Sequence, residues 1–399
     1  MASSRLDPLQ NRNFRRLLLA GLVSGIGDWG ARIAFSVLLF ERTHSALLSS
    51  LVAIVAIAPQ LGPGVWLTKR TRRFSHRSVL IASDLLRAAL WLIAAAGLPI
   101  PIVFVIVFLA ETVTVPFASR RGLSIRSTVE PEQLPASMAL AGSTFQAAVA
   151  IGYFLGASSI ASSPLLVLRL NALTFLVSAA LLVKLPNGSY QGNVPATFGR
   201  FSVDGELRRI AVASVSLAMF AMAIEALIIP YVFDGLHQKP GQVGLLLVVV
   251  PATTIIVSLF VAKTDQPELA LQRSTAIAIA GTALSFFTLA NRGVPLFGRA
   301  LTLAFVAGSS FAAITSFTTL FMSRIKDDSE SALLLSGYQS ALMVSQGAGA
   351  AGIGLIADTA DSGLAARVGV IGCFVILAFT MRRLRPVPHG IEPIIAAAD

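Results

Sequence analysis

Residues 100–118 read IPIVFVIVFLAETVTVPFA, and this stretch carries a single ionisable side chain, Glu111. A helix rises about 1.5 Å per residue, so the stretch would be about 28 Å long. That length is close to the roughly 30 Å thickness of the hydrocarbon core of a membrane. The sequence therefore predicts a helix that crosses a membrane and holds one acid near its middle.

Apolar runs of the same kind recur along the whole chain. Of its 399 residues, 55 % are hydrophobic and 13 % are charged, whereas roughly a quarter of the residues in soluble domains are charged. This composition excludes a soluble globular protein and a disordered chain. We predict an all-α integral membrane protein with twelve transmembrane helices, here called spans 1–12. The spans cover residues 17–40, 46–66, 78–97, 100–118, 135–161, 164–183, 210–233, 241–262, 270–290, 295–321, 332–356 and 363–381.

Several other classes are excluded by what the sequence lacks. Cys373 is the single cysteine, which excludes a disulfide scaffold. The first fifteen residues are polar and basic, and the apolar run after them is too long for a cleaved signal. The chain has no phosphate-binding Gly-Lys-Ser/Thr loop and no Cys/His cluster. We therefore expect no cofactor and no metal site.

The positions of the basic residues predict the orientation of the chain. With the N-terminus placed in the cytoplasm, 23 of the 31 Lys and Arg residues fall in inner segments and 4 fall in outer segments. Cytoplasmic loops of membrane proteins carry such an excess. We predict that both termini are cytoplasmic. The net charge is +11, but the basic residues lie in short loops between apolar runs and do not form a nucleic-acid-binding face. We therefore expect no nucleic-acid partner.

A long polar stretch divides the chain into two halves. Residues 186–206 are rich in Asn, Gly, Ser, Gln and Pro, which is typical of a flexible linker. We predict an N-terminal six-helix bundle over 1–185, a cytoplasmic linker over 186–206, and a C-terminal six-helix bundle with a cytoplasmic tail over 207–399. Weak similarity between the halves supports this division, because repeats of this kind are common in transporters.

Five short segments resemble the major facilitator superfamily, in particular its macrolide-efflux-like and enterobactin-exporter-like permeases. They are NFRRL (13–17), GDW (27–29), VLIA (79–82), DLLRA (84–88) and EPEQL (130–134). The resemblance extends over about residues 10–385. It implies the major facilitator fold and an alternating-access carrier in a bacterial inner membrane, usually a proton-coupled exporter.

One loop departs from the resembled family. The family's Gly-x-x-x-Asp-Arg-x-x-Arg-Arg motif aligns its glycine with Thr68 and its aspartate with Arg72, and residues 69–77 contain no acid. In the family this aspartate belongs to a cytoplasmic latch, which the resemblance would place here on Arg72, Arg73, Asp84 and Arg87. Without the acid, the latch is altered or absent. The basic residues then either bind anionic lipid headgroups or only anchor the topology.

Ionisable groups within spans are costly and are candidate functional residues. The resemblance implies that spans 1, 4, 7 and 10 line a central cavity. The candidates for proton coupling or substrate contact on these spans are Asp28, Arg32, Glu111, Glu225 and Arg299.

The alternatives for these residues differ. Asp28 and Arg32 lie four residues apart on one helix face, so they can pair and only stabilise span 1. Glu111 has no basic neighbour within one turn, and burial then favours its protonated form, which suits a proton carrier or a neutral acid bonded to another helix. Glu225 is open to substrate contact or gating. Arg299 can attract an anion, pair with Glu225 or reach the headgroups.

Small residues in spans 5 and 11 predict close helix contacts. Gly152, Gly156, Gly347 and Gly352 follow spacings that let helix backbones approach. Such contacts would allow the two bundles to slide during transport, or would be static packing.

We therefore expect a secondary transporter rather than an enzyme. It would export an amphipathic drug or natural product in exchange for protons, as a multidrug-type antiporter. Its expected partners are the small substrate, protons and membrane lipids, and the protein is expected to be a monomer. Two alternatives remain open from the sequence. One is a lipid or lysolipid flippase, and the other is a membrane-embedded enzyme or accessory subunit on the same fold.

Overall fold

The structure is a computed structural model that describes residues 7–159, 163–187, 205–236, 241–261, 266–291, 293–324 and 328–383. Within these ranges the chain forms thirteen α-helices and no strand. The helices are α1 (Arg12–Thr43), α2 (Ala46–Ile57), α3 (Pro63–Arg70), α4 (His76–Ala94), α5 (Ile100–Thr128), α6 (Leu134–Ser159), α7 (Pro164–Leu182), α8 (Gly205–Leu236), α9 (Gly241–Val261), α10 (Pro267–Ala290), α11 (Leu296–Ser323), α12 (Asp328–Thr359) and α13 (Ser362–Arg383).

Most of the twelve predicted spans correspond to described helices that could cross a membrane. Ten of them are long and apolar enough to cross a membrane, and α2 with α3 makes an eleventh if the bent pair is one span. The remaining helix of comparable length, α4, carries Arg77, Asp84 and Arg87 within 19 residues. Most of the predicted linker 186–206 and the tail after residue 383 lie outside the described residues. The predicted all-α membrane fold is confirmed.

Span 2 is broken because its sequence cannot continue one helix. The chain passes from α2 through a 3-10 turn at Ala58–Leu61 into α3, and the axis bends by 41°. Pro59 and Pro63 lack the backbone N–H that a helix interior requires. The apolar run alone did not predict this bend.

Local signals set the ends of α1, the helix that carries Asp28 and Arg32. The side chain of Asn11 accepts hydrogen bonds from the backbone N–H groups of Asn13 and Phe14, at 2.9 and 3.3 Å. At the other end the residue after α1 takes a left-handed conformation with φ of 50° and donates its N–H to a carbonyl of the last turn. These caps satisfy groups that a helix end leaves unpaired. Asp28 therefore lies near the middle of a 32-residue helix.

The helices pack in two groups that meet along two pairs of helices. In the first group α1 packs against α6 and α7, and α4 packs against α5 and α7. In the second group α8 packs against α11, α12 and α13, and α10 packs against α11 and α13. The groups touch mainly where α6 meets α9 and where α2 meets α12. The candidate site lies where α1, α5, α6 and α8 converge.

Candidate functional site

An ion pair between α1 and α5 forms the centre of the site. The guanidinium of Arg32 donates two hydrogen bonds to the carboxylate of Glu111, from Nε to Oε1 at 3.0 Å and from Nη2 to Oε2 at 2.8 Å. Glu111 is 3 % exposed and the Arg32 side chain is 18 % exposed. Two parallel charge-assisted bonds fix both distance and orientation. The pair therefore ties α1 to α5 at mid-helix depth.

Asp28 is the second and weaker partner of Arg32. Its Oδ2 lies 3.5 Å from Nη2 of Arg32, beyond ordinary hydrogen-bond length. Its Oδ1 is buried and has no hydrogen-bond partner among the described residues. The ion pair between Asp28 and Arg32 that the spacing allowed is present, but the stronger bonds of Arg32 go to Glu111 on the neighbouring helix. The sequence spacing revealed only partners on the same helix.

Aromatic side chains cover one side of this ion pair. The guanidinium of Arg32 lies over the ring of Trp29 at 4.6 Å. The Trp29 ring makes edge contacts with Tyr153 and Phe145, with ring centroids 5.6 and 6.0 Å away. Such edge-to-face contacts are favourable between aromatic rings. The charged groups thus lie beside an aromatic wall built by α1 and α6.

Two glycines bring α6 close enough for this wall to form. A Cβ added at Gly152 would lie 2.9 Å from Cβ of Trp29 and 3.0 Å from the backbone N of Gly30. A Cβ added at Gly156 would lie 2.8 Å from Cα of Gly30. No side chain fits at these distances, so both positions need glycine. The structure is consistent with the predicted packing role of Gly152 and Gly156, and Tyr153 lies beside them.

Tyr153 links the two helix groups. Its hydroxyl donates a short hydrogen bond to Oε1 of Glu225 on α8. Tyr153 is 3 % exposed and Glu225 is 8 % exposed, and Glu225 forms no ion pair among the described residues. Sequence reasoning found Glu225 but missed Tyr153, for which the neighbouring glycines were the only signal. The contact joins the first group to the second beside the ion pair.

Arg299 lies apart from this cluster. It is in the first turn of α11, and its Nη2 donates to the backbone carbonyl of Asn291 at 3.0 Å. The expected alternative in which Arg299 pairs with Glu225 is not what the structure shows, since Glu225 is bonded to Tyr153. Of the five candidates, Asp28, Arg32 and Glu111 are in direct contact, and Glu225 joins them through aromatic rings.

The predicted latch residues fall into two separate places. Asp84 and Arg87 form a short ion pair within α4, and both are buried. The guanidinium of Arg87 lies 4.2 Å from the ring centroids of both Phe117 and Phe175. This pair stabilises the packing of α4 against α5 and α7.

Arg72 and Arg73 instead lie exposed in the 3-10 turn that follows α3. That turn is held by Arg120 of α5, which the sequence reasoning missed. Nη2 of Arg120 donates to the carbonyl of Thr71 at 2.8 Å, and Nη1 lies 3.4 Å from Nδ1 of His76. Burial lowers the pKa of His76, and the positive charge of Arg120 lowers it further. A buried arginine thus holds this loop, which contains no acid.

Asp358 at the end of α12 caps the start of α2. Its carboxylate accepts from the Ser45 hydroxyl at 2.6 Å and from the backbone N–H groups of Ala46 and Leu47 at 2.6 and 3.2 Å. A negative charge is favourable at a helix N-terminus. This contact joins the two helix groups at the end that the basic residues predict to be the outer one. In the sequence, Asp358 is distinguished only by following the glycine-rich run at residues 347–354.

The glycines of α12 differ in their surroundings. A Cβ added at Gly354 would lie 2.9 Å from a backbone Cα of α2, and one added at Gly349 would lie 2.7 Å from the carbonyl carbon of Met219. Gly347 is near α2 at ordinary contact distance, and a Cβ at Gly352 would meet nothing within 4 Å. The close-packing role expected of Gly352 is therefore corrected to Gly349 and Gly354, because Gly352 faces open space.

Comparison with known proteins identifies the fold. No protein-family model and no curated protein matches the chain. Solved structures do match. A POT family transporter in complex with 5-aminolevulinic acid has a TM-score of 0.72 and 10 % sequence identity, with 94 % of this chain and 97 % of that chain covered.

Two further structures agree. A bacterial homologue of the human lysosomal transporter Spinster, inward-facing and unoccupied, has a TM-score of 0.67 and 11 % identity over 94 % of this chain and 99 % of that chain. A mutant of the nucleoside transporter NupG has a TM-score of 0.66 and 14 % identity over 94 % of this chain and 100 % of that chain. At these identities the likeness concerns the fold. The chain is therefore an all-α, multi-pass membrane protein that shares the fold of these solved transporters.

Proposed function

We propose that the protein is a secondary active transporter that exports a small amphipathic molecule in exchange for protons by alternating access. The observation that carries the proposal is the buried cluster of Asp28, Arg32 and Glu111 at mid-helix depth. An ionisable cluster inside a membrane is costly and is kept for a function. Proton coupling is the function that its geometry suits best.

The geometry suggests how a proton would act. Arg32 has Glu111 on α5 at 2.8 Å and Asp28 on its own helix at 3.5 Å. A proton that binds the Glu111 carboxylate removes the charge that holds Arg32, and Asp28 then becomes the stronger partner. The link between α1 and α5 weakens while Arg32 stays paired. Release of the proton restores the link.

Alternating access requires contacts between the helix groups that form and break. Two contacts suit this role. Asp358 joins α12 to α2 at one end, and Tyr153 joins α6 to Glu225 of α8 near the centre. The close packing of Gly354 against α2 brings α12 and α2 together at this contact. We propose that the Asp358 contact closes the outer end and opens during transport.

The resemblance to efflux permeases and the charge of the loops support the remaining parts of the proposal. We place the protein in a bacterial inner membrane with both termini cytoplasmic, as two six-helix bundles over 1–185 and 207–399. We also propose that the protein acts as a monomer.

The experiment is transport in proteoliposomes. Purified protein is reconstituted, a pH gradient is imposed, and flux is measured across a panel of amphipathic compounds. We expect gradient-driven flux that collapses when an ionophore removes the gradient. The matched control is Glu268→Gln, which alters an exposed acid of α10 that pairs with Arg324. If the flux of every compound in the panel is the same with and without the pH gradient, proton coupling is refuted.

A second candidate, a lipid flippase, is favoured by one specific feature. A pocket beside the basic turn is lined by Arg77 and Ser78 together with Ile81 and Leu85 of α4. A cation above apolar side chains suits an anionic phospholipid. The same vesicles test it with a fluorescent lysolipid: translocation of the lysolipid without flux of soluble compounds would favour the flippase.

A further inference from the structure

The pocket beside the basic turn joins α4 to the segment that follows α7. It has a volume of about 410 Å³ and is lined by Arg77, Ser78, Ile81, Ala82, Leu85 and Asn187. Small-molecule sites have volumes of roughly 300–1,000 Å³. We infer that the pocket holds the headgroup of one resident anionic glycerophospholipid, which stays bound and is not transported. The inference uses only the membrane fold and goes beyond the proposed transport function.

The polar residues of the pocket suit a phosphate group. Arg77 and Ser78 lie in the first turn of α4, where the helix dipole favours a negative charge. Arg77 forms no ion pair within the described ranges. A guanidinium can donate two parallel hydrogen bonds to phosphate oxygens. The Ser78 hydroxyl and the Asn187 amide supply further hydrogen-bonding groups in the same pocket.

The charges around the pocket favour an anion. Residues 69–77 contain no acid. Asp84, the one acid of α4, is buried and bonded to Arg87, so its charge is compensated inside the helix bundle. The segment after α7 adds Lys184, whose carbonyl accepts from Nη1 of Arg16 at 3.1 Å. Clusters of basic residues beside a membrane attract anionic headgroups.

The apolar side of the pocket continues as an exposed stripe along α4. Leu85 and Leu92 are each about half exposed, and Ala82 and Ala89 on the same face are exposed as well. From Ala82 to Leu92 the stripe is about 15 Å long. This length equals half of the roughly 30 Å hydrocarbon core. An acyl chain of one leaflet therefore fits along α4 when its headgroup occupies the pocket.

Aromatic side chains place the basic turn at the level of the headgroups. The guanidinium of Arg70 lies 5.5 Å from the ring centroid of Trp66, and that of Arg73 lies 5.0 Å from the ring centroid of Phe74. Both rings are exposed. Exposed tryptophan is typical of the membrane–water interface. A lipid in the pocket thus has its phosphate near Arg77 and its chains in the hydrocarbon region.

The test measures lipid retention by the purified full-length protein in nanodiscs. The discs contain phosphatidylcholine and phosphatidylglycerol with the same acyl chains, and native mass spectrometry counts the lipids that stay bound. We expect one phosphatidylglycerol to be retained with at least tenfold preference over phosphatidylcholine. Arg77→Gln should reduce this preference about tenfold. The matched control Arg126→Gln changes an exposed arginine in the last turn of α5 and should leave the preference unchanged.

A second variant guards against misfolding. Ser78→Asp places a negative charge in the first turn of α4, which suits the helix end but repels a phosphate. It should also reduce the preference about tenfold. Thermal unfolding and gel filtration verify that each variant is folded. Equal retention of phosphatidylglycerol by Arg77→Gln, Ser78→Asp and Arg126→Gln would overturn the inference.

Two further measurements distinguish a resident lipid from other anions. Soluble glycerol phosphate carries the same anionic group without acyl chains, so it should not displace the bound lipid, whereas a short-chain phosphatidylglycerol should. Displacement by glycerol phosphate would mean that the pocket binds a soluble anion and would overturn the inference. Translocation of a fluorescent phosphatidylglycerol across vesicles that contain the protein would also overturn it, because the lipid would then be a substrate.

Discussion

The order of stability among variants of the central ion pair follows from its distances. Glu111→Gln replaces a carboxylate that accepts two hydrogen bonds from Arg32. Hydrogen bonds to charged groups contribute about 1.5–3 kcal/mol each. Glutamine can still accept one bond, and Asp28 at 3.5 Å compensates part of the charge. We therefore expect a loss of about 2–3 kcal/mol in the free energy of unfolding.

Asp28→Asn should cost less than about 1 kcal/mol, because the Arg32–Glu111 bonds remain and only a 3.5 Å contact is lost. The double variant leaves Arg32 without an acid partner. Breaking a buried pair in this way costs about 3–5 kcal/mol, so the double variant should lose more than the sum of the single ones.

Unfolding in mixed detergent micelles, followed by tryptophan fluorescence, measures all three variants. The reasoning is refuted if Asp28→Asn costs as much as Glu111→Gln, or if the two effects simply add. Either result would mean that Arg32 does not bridge the two acids. Glu268→Gln is again the control, because its side chain is exposed on α10.

Three further predictions concern other parts of the molecule. Asp358→Ala leaves Ser45 as the N-cap of α2 but removes the carboxylate that accepts from the N–H groups of Ala46 and Leu47; a loss of about 1 kcal/mol should raise the hydrogen exchange of these two amides roughly fivefold. Gly156→Val forces a side chain against Gly30 and should cost about 1–3 kcal/mol in thermal unfolding, whereas Gly142→Ala, which meets nothing within 4 Å, should be neutral. Burial and the neighbouring arginine of α5 lower the pKa of His76, so the unfolded chain takes up its proton first and stability should fall below about pH 6.5; His76→Gln should reduce that fall.

The spans could be predicted because lipid imposes a simple rule on sequence. A run of about 20 apolar residues marks a crossing helix, and the predicted spans fall on the described helices. The break between α2 and α3 was missed although Pro59 and Pro63 were visible. The apolar run of a sequence shows only the length and hydrophobicity of a helix. The direction of the helix axis depends on which backbone N–H and C=O groups form hydrogen bonds.

The members of the candidate site could be proposed from the sequence, but their pairings could not. Asp28, Arg32, Glu111 and Glu225 stand out because ionisable side chains are rare in spans. Sequence spacing reveals partners within a helix, so it favoured Asp28 for Arg32 and left Glu111 unpaired.

Contacts between distant helices had no sequence signal of comparable strength. Tyr153 is one of four tyrosines, and only its place between Gly152 and Gly156 distinguishes it. Asp358 caps a helix that begins 312 residues earlier in the chain. Such partners are set by how helices pack, which an apolar pattern does not specify.

The central claim is that Glu111 carries the proton that drives transport. The most direct measurement compares gradient-driven flux with counterflow exchange in the same vesicles containing Glu111→Gln. The account predicts that this variant loses gradient-driven flux and keeps exchange, because substrate still binds while the proton has no acceptor at Arg32. Intact gradient-driven flux in Glu111→Gln would contradict it.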